Sequence, residues 1–326
     1  MKKSLLLFLV LFAVVLCFPL VAGKFALHLM MEILIMAIFV MSLGLIMGYA
    51  GMVSLGHAAF FGVGAYFVAL LGHHIGNLFL VLALGTAIAG LLAWISGGLF
   101  IRSAGGYFLM ITLSFGQMLY AVAYKLKNVT GGDEGMPVQA APDLGWKLAT
   151  MTELYYVIGI GFLAWFLFLI LFSNSPAGKA VKGVMVNESR MRALGYNSIA
   201  YKLIAYTLAG GMAGFAGVLY AYFNQYVSPD LLNWLFSGQA MIMVIIGGVG
   251  TLIGPAIGAG FFVLLQNYIS SYTERWPIIM GLIFIAIVMY GKGGIVHLVL
   301  QLTSKLRFKL WDGSAVNRAE QRRTSP

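Results

Sequence analysis

The stretch Asn174–Lys202, NSPAGKAVKGVMVNESRMRALGYNSIAYK, decides how the rest of the chain is read. It is the most basic long interruption in a sequence that is otherwise nearly all apolar. Lys179, Lys182, Arg190, Arg192 and Lys202 stand against one acid, Glu188. A long basic segment between two apolar runs marks a loop on the cytoplasmic side of a membrane. Its middle has helical spacing, with Val181, Val184, Met185, Met191 and Leu194 on one stripe and Lys179, Lys182 and Arg190 off it. Gly195 falls where a helix C-cap is expected. The segment therefore reads as a short helix lying across the inner membrane surface. Its apolar stripe either rests among lipid headgroups or meets a partner.

Composition agrees with a membrane location. Of 326 residues, 61% are hydrophobic and 9% charged, against about 25% charged in a soluble domain. Mean hydropathy is +0.94. The expectation is an all-α polytopic membrane protein, and 41 glycines suit close helix crossings and helix breaks. The net charge of +10 is unevenly spread, which reports orientation and gives no reason to expect a nucleic-acid partner. The one cysteine, Cys17, leaves no disulfide framework.

Outward from the basic segment, six apolar runs precede it: Leu5–Ala22, Phe25–Met47, Gly48–Ala65, Leu78–Phe100, Tyr107–Tyr124 and Glu153–Phe172. Four follow it: Leu203–Phe223, Gln239–Ile246, Ala256–Ile269 and Trp276–Tyr290. The third run is expected to be a break followed by a short helix, and Asn224–Trp234 a short polar connection. Counting each run as a crossing gives about ten transmembrane or membrane-embedded helices with both termini cytoplasmic. The cations then fall fifteen inside to five outside, as the positive-inside rule requires. Residues 1–291 form one transmembrane domain, with 174–202 as its cytoplasmic loop, and 292–326 a basic cytoplasmic tail facing anionic lipid.

Two glycine-rich interruptions sit in the two halves. One contains Gly48, Gly51, Ser54, Gly56 and His57; the other contains Gly247, Gly248, Gly250, Thr251, Gly254 and Pro255. Paired interruptions point to a transport pathway, because broken helices expose backbone groups and helix N-termini to a substrate. The same glycines also serve close packing at helix crossings. His57 reads as a hydrogen-bonder to a neighbouring helix before it reads as a ligand contact. Glu32, an acid within the second run near its outer end, reads as a snorkelling or interhelical group.

Several chemistries have no support. No G-x-x-x-x-G-K-[ST] phosphate loop occurs, the five histidines form no metal pattern, and no pair of acids shares a span. This argues against an ion-coupled carrier and a membrane enzyme, and fits a permease energised from outside the chain. A partner-independent channel is the rival reading.

Six motifs in order resemble the LivM-type permease subunit of bacterial branched-chain amino acid ABC importers. They are GYAGMVSLGHAAFFGVGAY at Gly48–Tyr66, TGGDEG at Thr130–Gly135, the loop at Gly178–Tyr206, AGGMAGFAGVLYAY at Ala209–Tyr222, YVSPD at Tyr226–Asp230, and IIGGVGTLIGPAIGA at Ile245–Ala259. The resemblance implies an inner-membrane heterodimer with a LivH-like permease, two cytoplasmic ABC ATPase subunits and an extracytoplasmic substrate-binding protein. It implies no cofactor in this chain, with ATP and Mg²⁺ bound by the partner ATPase. Gly178, Lys179, Lys182, Glu188, Arg190, Arg192, Leu194 and Gly195 then belong to the segment that couples to the ATPase. Asp133, Glu134 and Asp230 become candidates for docking the binding protein, or remain solvated loop acids. The sequence departs from the family pattern at Gly183-Val184-Met185, Glu188-Ser189-Arg190-Met191, Gln239 and Tyr290-Gly291-Lys292-Gly293. These departures leave substrate choice open, since relatives also carry urea, amides and aromatic acids.

Overall fold

Apolar runs without internal breakers become helices, and the chain's few polar residues mark their ends. The computed structural model describes residues 2–139, 150–290 and Gly294. The first half holds α1 (Lys2–Val21), α2 (Lys24–Tyr49), α3 (Ala58–Ile75), α4 (Leu78–Phe100) and α5 (Gly106–Lys125). A short α6 (Lys127–Thr130), a 3-10 turn (Gly132–Glu134) and β1 (Met136–Pro137) follow. Then come α7 (Met151–Asn174), α8 (Pro176–Val186), α9 (Glu188–Ala193) and α10 (Ser198–Asn224). After β2 (Tyr226–Val227) and a 3-10 turn (Pro229–Leu232), the chain ends its described part in α11 (Trp234–Gly247), α12 (Gly254–Ser270) and α13 (Trp276–Tyr290). Asn77, Asn187, Asn197 and Asn233 each accept backbone N–H bonds at a helix start. Thr150 and Glu153 form a capping box on α7.

Among the described residues, six helices are long and apolar enough to cross a membrane: α2, α3, α4, α5, α7 and α10. The ten-crossing expectation is thus supported for six. The later helices α11, α12 and α13, of 14, 17 and 15 residues, are shorter. The basic tail at 292–326 lies outside the described residues, apart from Gly294. Cys17 is a free thiol exposed on α1.

The helices are arranged as two inverted halves. Helix α10 packs on α2, α3 and α4. It runs antiparallel to α4, since Gly85 faces Val218 while Gly97 faces Tyr206 and Leu203. It runs antiparallel to α2 as well, with the His28 ring 4.4 Å from that of Phe223. In turn, α2 packs on α10, α11 and α12. Its Gly44 meets Pro255 and its Ile33 meets Gly260, so α12 opposes it. Phe39 stacks on Phe236 and Gly48 meets Gly250, so α11 runs alongside it. The succession α2, α3, α4, α5 is therefore repeated in opposite direction by α10, α11, α12, α13.

The structure corrects three expectations. The partner of the break after α2 is Gln225–Asn233, between α10 and α11; the glycine turn at 248–253 instead corresponds to the short α3–α4 connection. Nor is Gln225–Asn233 a polar connection at the surface. Val227, Pro229, Leu231 and Leu232 are buried, and Leu232 packs against Gly62 of α3. Helix α3 is also not short: once past residues 50–57 it runs 18 residues, because nothing from Ala58 to Ile75 breaks it.

Without a hydrophobic difference between lipid and neighbouring helix, close contact must hold such a bundle. The glycines supply it. Gly210 and Gly214 of α10 lie against Ala93 and Ala89 of α4, and Gly217 against the Phe61 carbonyl, each too close for a β-carbon.

Candidate functional site

Three regions hold the residues singled out from sequence. In the first, α2 ends at Tyr49 and the chain turns back into the bundle through residues 50–57 before α3 begins. The turn starts at Gly51, whose φ of +68° suits glycine. Gly56 then sits on the Thr112 backbone of α5, and Gly116 in turn faces Gly56. His57 precedes α3 and is fully buried. The Ser42 hydroxyl of α2 donates to the Phe39 carbonyl at 2.6 Å and lies 2.7 Å from His57 Nε2. Because the single Ser42 proton goes to Phe39, Nε2–H of His57 is the donor to Ser42. This is the interhelical bond expected of His57. Ser54 Oγ accepts from Gly56 N–H, closing the turn locally.

The opposing break delivers α11 to the same place. The Ala58 N–H at the start of α3 donates to Ser237 Oγ of α11 at 2.8 Å. The first turns of two oppositely directed helices thus meet inside the bundle, beside Phe39 and Phe236. Ser42 and Ser237 escaped notice in the sequence. A buried hydroxyl inside an apolar run was the available signal.

The second glycine cluster closes the α11–α12 hairpin. Gly248 and Gly250 have positive φ of 115° and 84°. Thr251 Oγ1 donates to the Gly248 carbonyl at 2.8 Å and accepts from Gly254 N–H at 3.1 Å, which ties the turn to the first residue of α12, just ahead of Pro255. Gly247 packs on Gly254, while Gly48 approaches Gly250 and Gly44 approaches Pro255. The two glycine clusters are therefore brought together, backbone to backbone. Among the described residues no group of three or more His, Cys, Asp or Glu is placed to hold a metal.

The basic segment forms the second region, at the end of the bundle where α2 stops. It is two helices rather than one, because Asn187 ends α8 and caps α9. Ser175 caps α8 and Pro176 takes its first turn, while Gly178 packs on the Phe172 backbone. Gly195, at φ +86°, ends α9; its N–H bonds Arg192 O and that of Tyr196 bonds Met191 O. The single apolar stripe is split by this geometry. Val181 joins the protein's own core and Val184 is buried, Met185 leans toward Gly51 of the break, and Val186 and Leu194 are exposed, Val186 at 83%. Lys179, Arg190 and Arg192 are exposed, and Lys182 lies 4.1 Å over the Tyr49 ring.

Glu188 ties this segment to the central helix. Its carboxylate accepts from Arg192 Nη2 at 2.6 Å and from Lys202 Nζ of α10 at 2.7 Å. The Lys202 bond, with Arg192 adding to it, holds the Glu188 carboxyl below its ordinary range. A displacement of α9 is therefore felt at the first turn of α10.

At the other end of the bundle, β1 and β2 pair antiparallel, Met136 with Val227 and Pro137 with Tyr226. Asp133, Glu134 and Asp230 are exposed beside this clasp. They lie on the opposite end from α8 and α9.

Comparison with known proteins adds the following. A family model described as "Branched-chain amino acid transport system / permease component" matches residues 25–291. The high-affinity branched-chain amino acid transport system permease protein LivM of Salmonella typhimurium is 23% identical, over 96% of this chain and 78% of that protein. The protein of the same name from Escherichia coli K12 is 26% identical, over 86% of this chain and 72% of its own length. An autoinducer 2 import system permease protein, LsrC of Escherichia coli O9:H4, is 25% identical over 49% of each chain. No solved structure matches the chain.

Proposed function

The chain belongs to the family of permease components of branched-chain amino acid transport systems, and from that premise we propose that it forms half of the pathway of an ATP-driven importer. The cargo is a branched-chain or related small amino acid. The chain pairs with a LivH-like permease in a bacterial inner membrane, with both termini cytoplasmic, and receives cargo from an extracytoplasmic binding protein. ATP and Mg²⁺ act on separate ATPase subunits.

The observation that carries the ATP-driven reading is the α8–α9 segment. It presents Lys179, Arg190, Arg192, Val186 and Leu194 outward, and through Glu188 it grips α10. An outward surface joined to the central helix is what an external energy source needs to act on. Movement of α8–α9 tilts α10, and with it the α2, α3 and α4 faces packed on it. Access alternates where the two broken segments meet, near His57, Ser237 and the Gly48–Gly250 contact. Asp133, Glu134 and Asp230, on the opposite end, meet basic residues of the binding protein.

Reversing Arg190 and Arg192 to glutamate tests this. Uptake is lost while the protein still inserts and folds. Unchanged uptake in the inserted variant would sink the coupling role and favour a channel that works without a partner.

A further inference from the structure

Between the α8–α9 segment and the body of the bundle lies a chamber of about 430 Å³. Its volume falls in the range of small-molecule sites, about 300–1,000 Å³. Its walls come from the break at Ala50–Val53, the α4–α5 turn and the start of α5 at Ser103–Leu109, Val184, Met185 and Glu188 of α8–α9, and Lys202 on α10. The lining combines apolar Val53, Leu109, Val184 and Met185 with the Glu188–Lys202 ion pair.

That pair has bonding capacity left over. A lysine ammonium has three donors, and one is given to Glu188. A carboxylate has about four acceptor positions, and Glu188 engages one lysine and one arginine nitrogen. Gly105, with φ +58°, starts α5 without a side-chain cap on the same wall. The chamber therefore offers one cation, one anion and an aliphatic wall within a single small volume.

We infer that this chamber is a binding site for a free α-amino acid with an aliphatic side chain, reached from the cytoplasm. The ligand carboxylate meets Lys202, its ammonium meets Glu188, and its side chain lies on Val184, Met185 and Leu109. A ligand there is wedged between the coupling segment and the bundle, so its occupancy restrains the motion that drives transport. The choice of an amino acid as ligand rests on the transport reading above; the site takes in the start of the break at Ala50–Val53 but neither His57 nor Ser237, where cargo would pass. The importer would then be slowed by its own accumulated product.

The test uses the full chain with its co-purifying subunits in lipid nanodiscs, free of binding protein, and tritiated L-leucine as probe. Saturable binding is expected, competed by L-valine but not by leucinamide or 4-methylpentanoate, each of which lacks one of the two charges. Ala104→Trp fills the chamber from an exposed turn position, and Lys202→Gln removes the cation. Each should weaken binding by about tenfold or more. A thermal melt matching the wild type shows that each variant is folded. Leucine uptake by the same complex in proteoliposomes, with its native binding protein and ATP supplied, is read separately. Uptake without binding overturns the chamber site alone. Binding that both variants leave unchanged also overturns it. Binding lost in both variants, in a complex that does not import leucine, supports the site and overturns the transport reading.

Discussion

The contact between the two glycine clusters makes a quantitative prediction at Gly48. A β-carbon built there lies 2.5 Å from Gly250 N and 2.8 Å from Gly250 Cα. Carbon atoms prefer about 3.5–4.0 Å. Gly48→Ala therefore forces the α11–α12 turn back by about 1 Å, a gap that forfeits a quarter to a half of each dispersion contact along it. Overpacking of this kind costs about 1–3 kcal/mol. The helical preference of alanine over glycine returns up to about 1 kcal/mol, leaving a net loss of about 0–2 kcal/mol when that return is complete. Gly98→Ala on α4 provides the control, because nothing lies within 4 Å of its β-carbon. It gains the same propensity with no clash. The shared propensity gain cancels, so the two substitutions, identical in chemistry, should differ by the overpacking cost alone, about 1–3 kcal/mol. Equilibrium unfolding in mixed micelles, followed by tryptophan fluorescence, measures the difference. Equal stabilities for the two variants would refute the close approach of Gly48 to Gly250.

Other consequences are checked as directly. Ser42→Ala or His57→Ala leaves a buried polar partner unsatisfied and costs about 1–3 kcal/mol, and the double variant costs less than the sum of the two, as a double-mutant cycle in the same assay will show. Because the folded-state pKa of Glu188 is lowered, its clasp contributes stability above the ordinary carboxylate range and loses it as pH falls through the lowered value. The stability gap between wild type and Glu188→Gln should stay constant from about pH 8 to 5 and close only in stronger acid. It should also be small, about 1 kcal/mol or less, since the pair is partly exposed. Gly51→Ala, at φ +68° and with Met185 Cγ 3.1 Å from the new β-carbon, should destabilise the break by about 1 kcal/mol, read as a lower melting temperature.

Much of this arrangement was legible in the residues. The basic segment announced itself by charge, and Gly195 by its place after the last helical position. His57 was read as an interhelical hydrogen-bonder and is one. The span edges shifted by a few residues, because Ser198 to Lys202 read as loop by charge yet form the first turn of α10. What stayed hidden was long-range. The glycine clusters looked like counterparts, but inverted topology pairs the break after α2 with Gln225–Asn233, whose polar appearance masked Val227, Leu231 and Leu232 in the core. The split of the α8–α9 stripe was equally hidden, since helical spacing places Val184 and Leu194 on one stripe and cannot tell which meets the bundle. Ser237 was marked only as a hydroxyl inside an apolar run, and its partner Ala58 lies 179 residues away.

The most direct test of the account is purification of this chain from its native membrane in mild detergent, followed by identification of what accompanies it. The account predicts stoichiometric recovery of a second permease and an ATPase bearing a phosphate-binding loop, with ATP hydrolysis in the purified complex. It predicts equally that Arg190→Glu/Arg192→Glu releases the ATPase while the second permease stays bound. Recovery of the chain alone, folded and stable, would contradict the account and leave α8 and α9 as helices resting on the lipid surface.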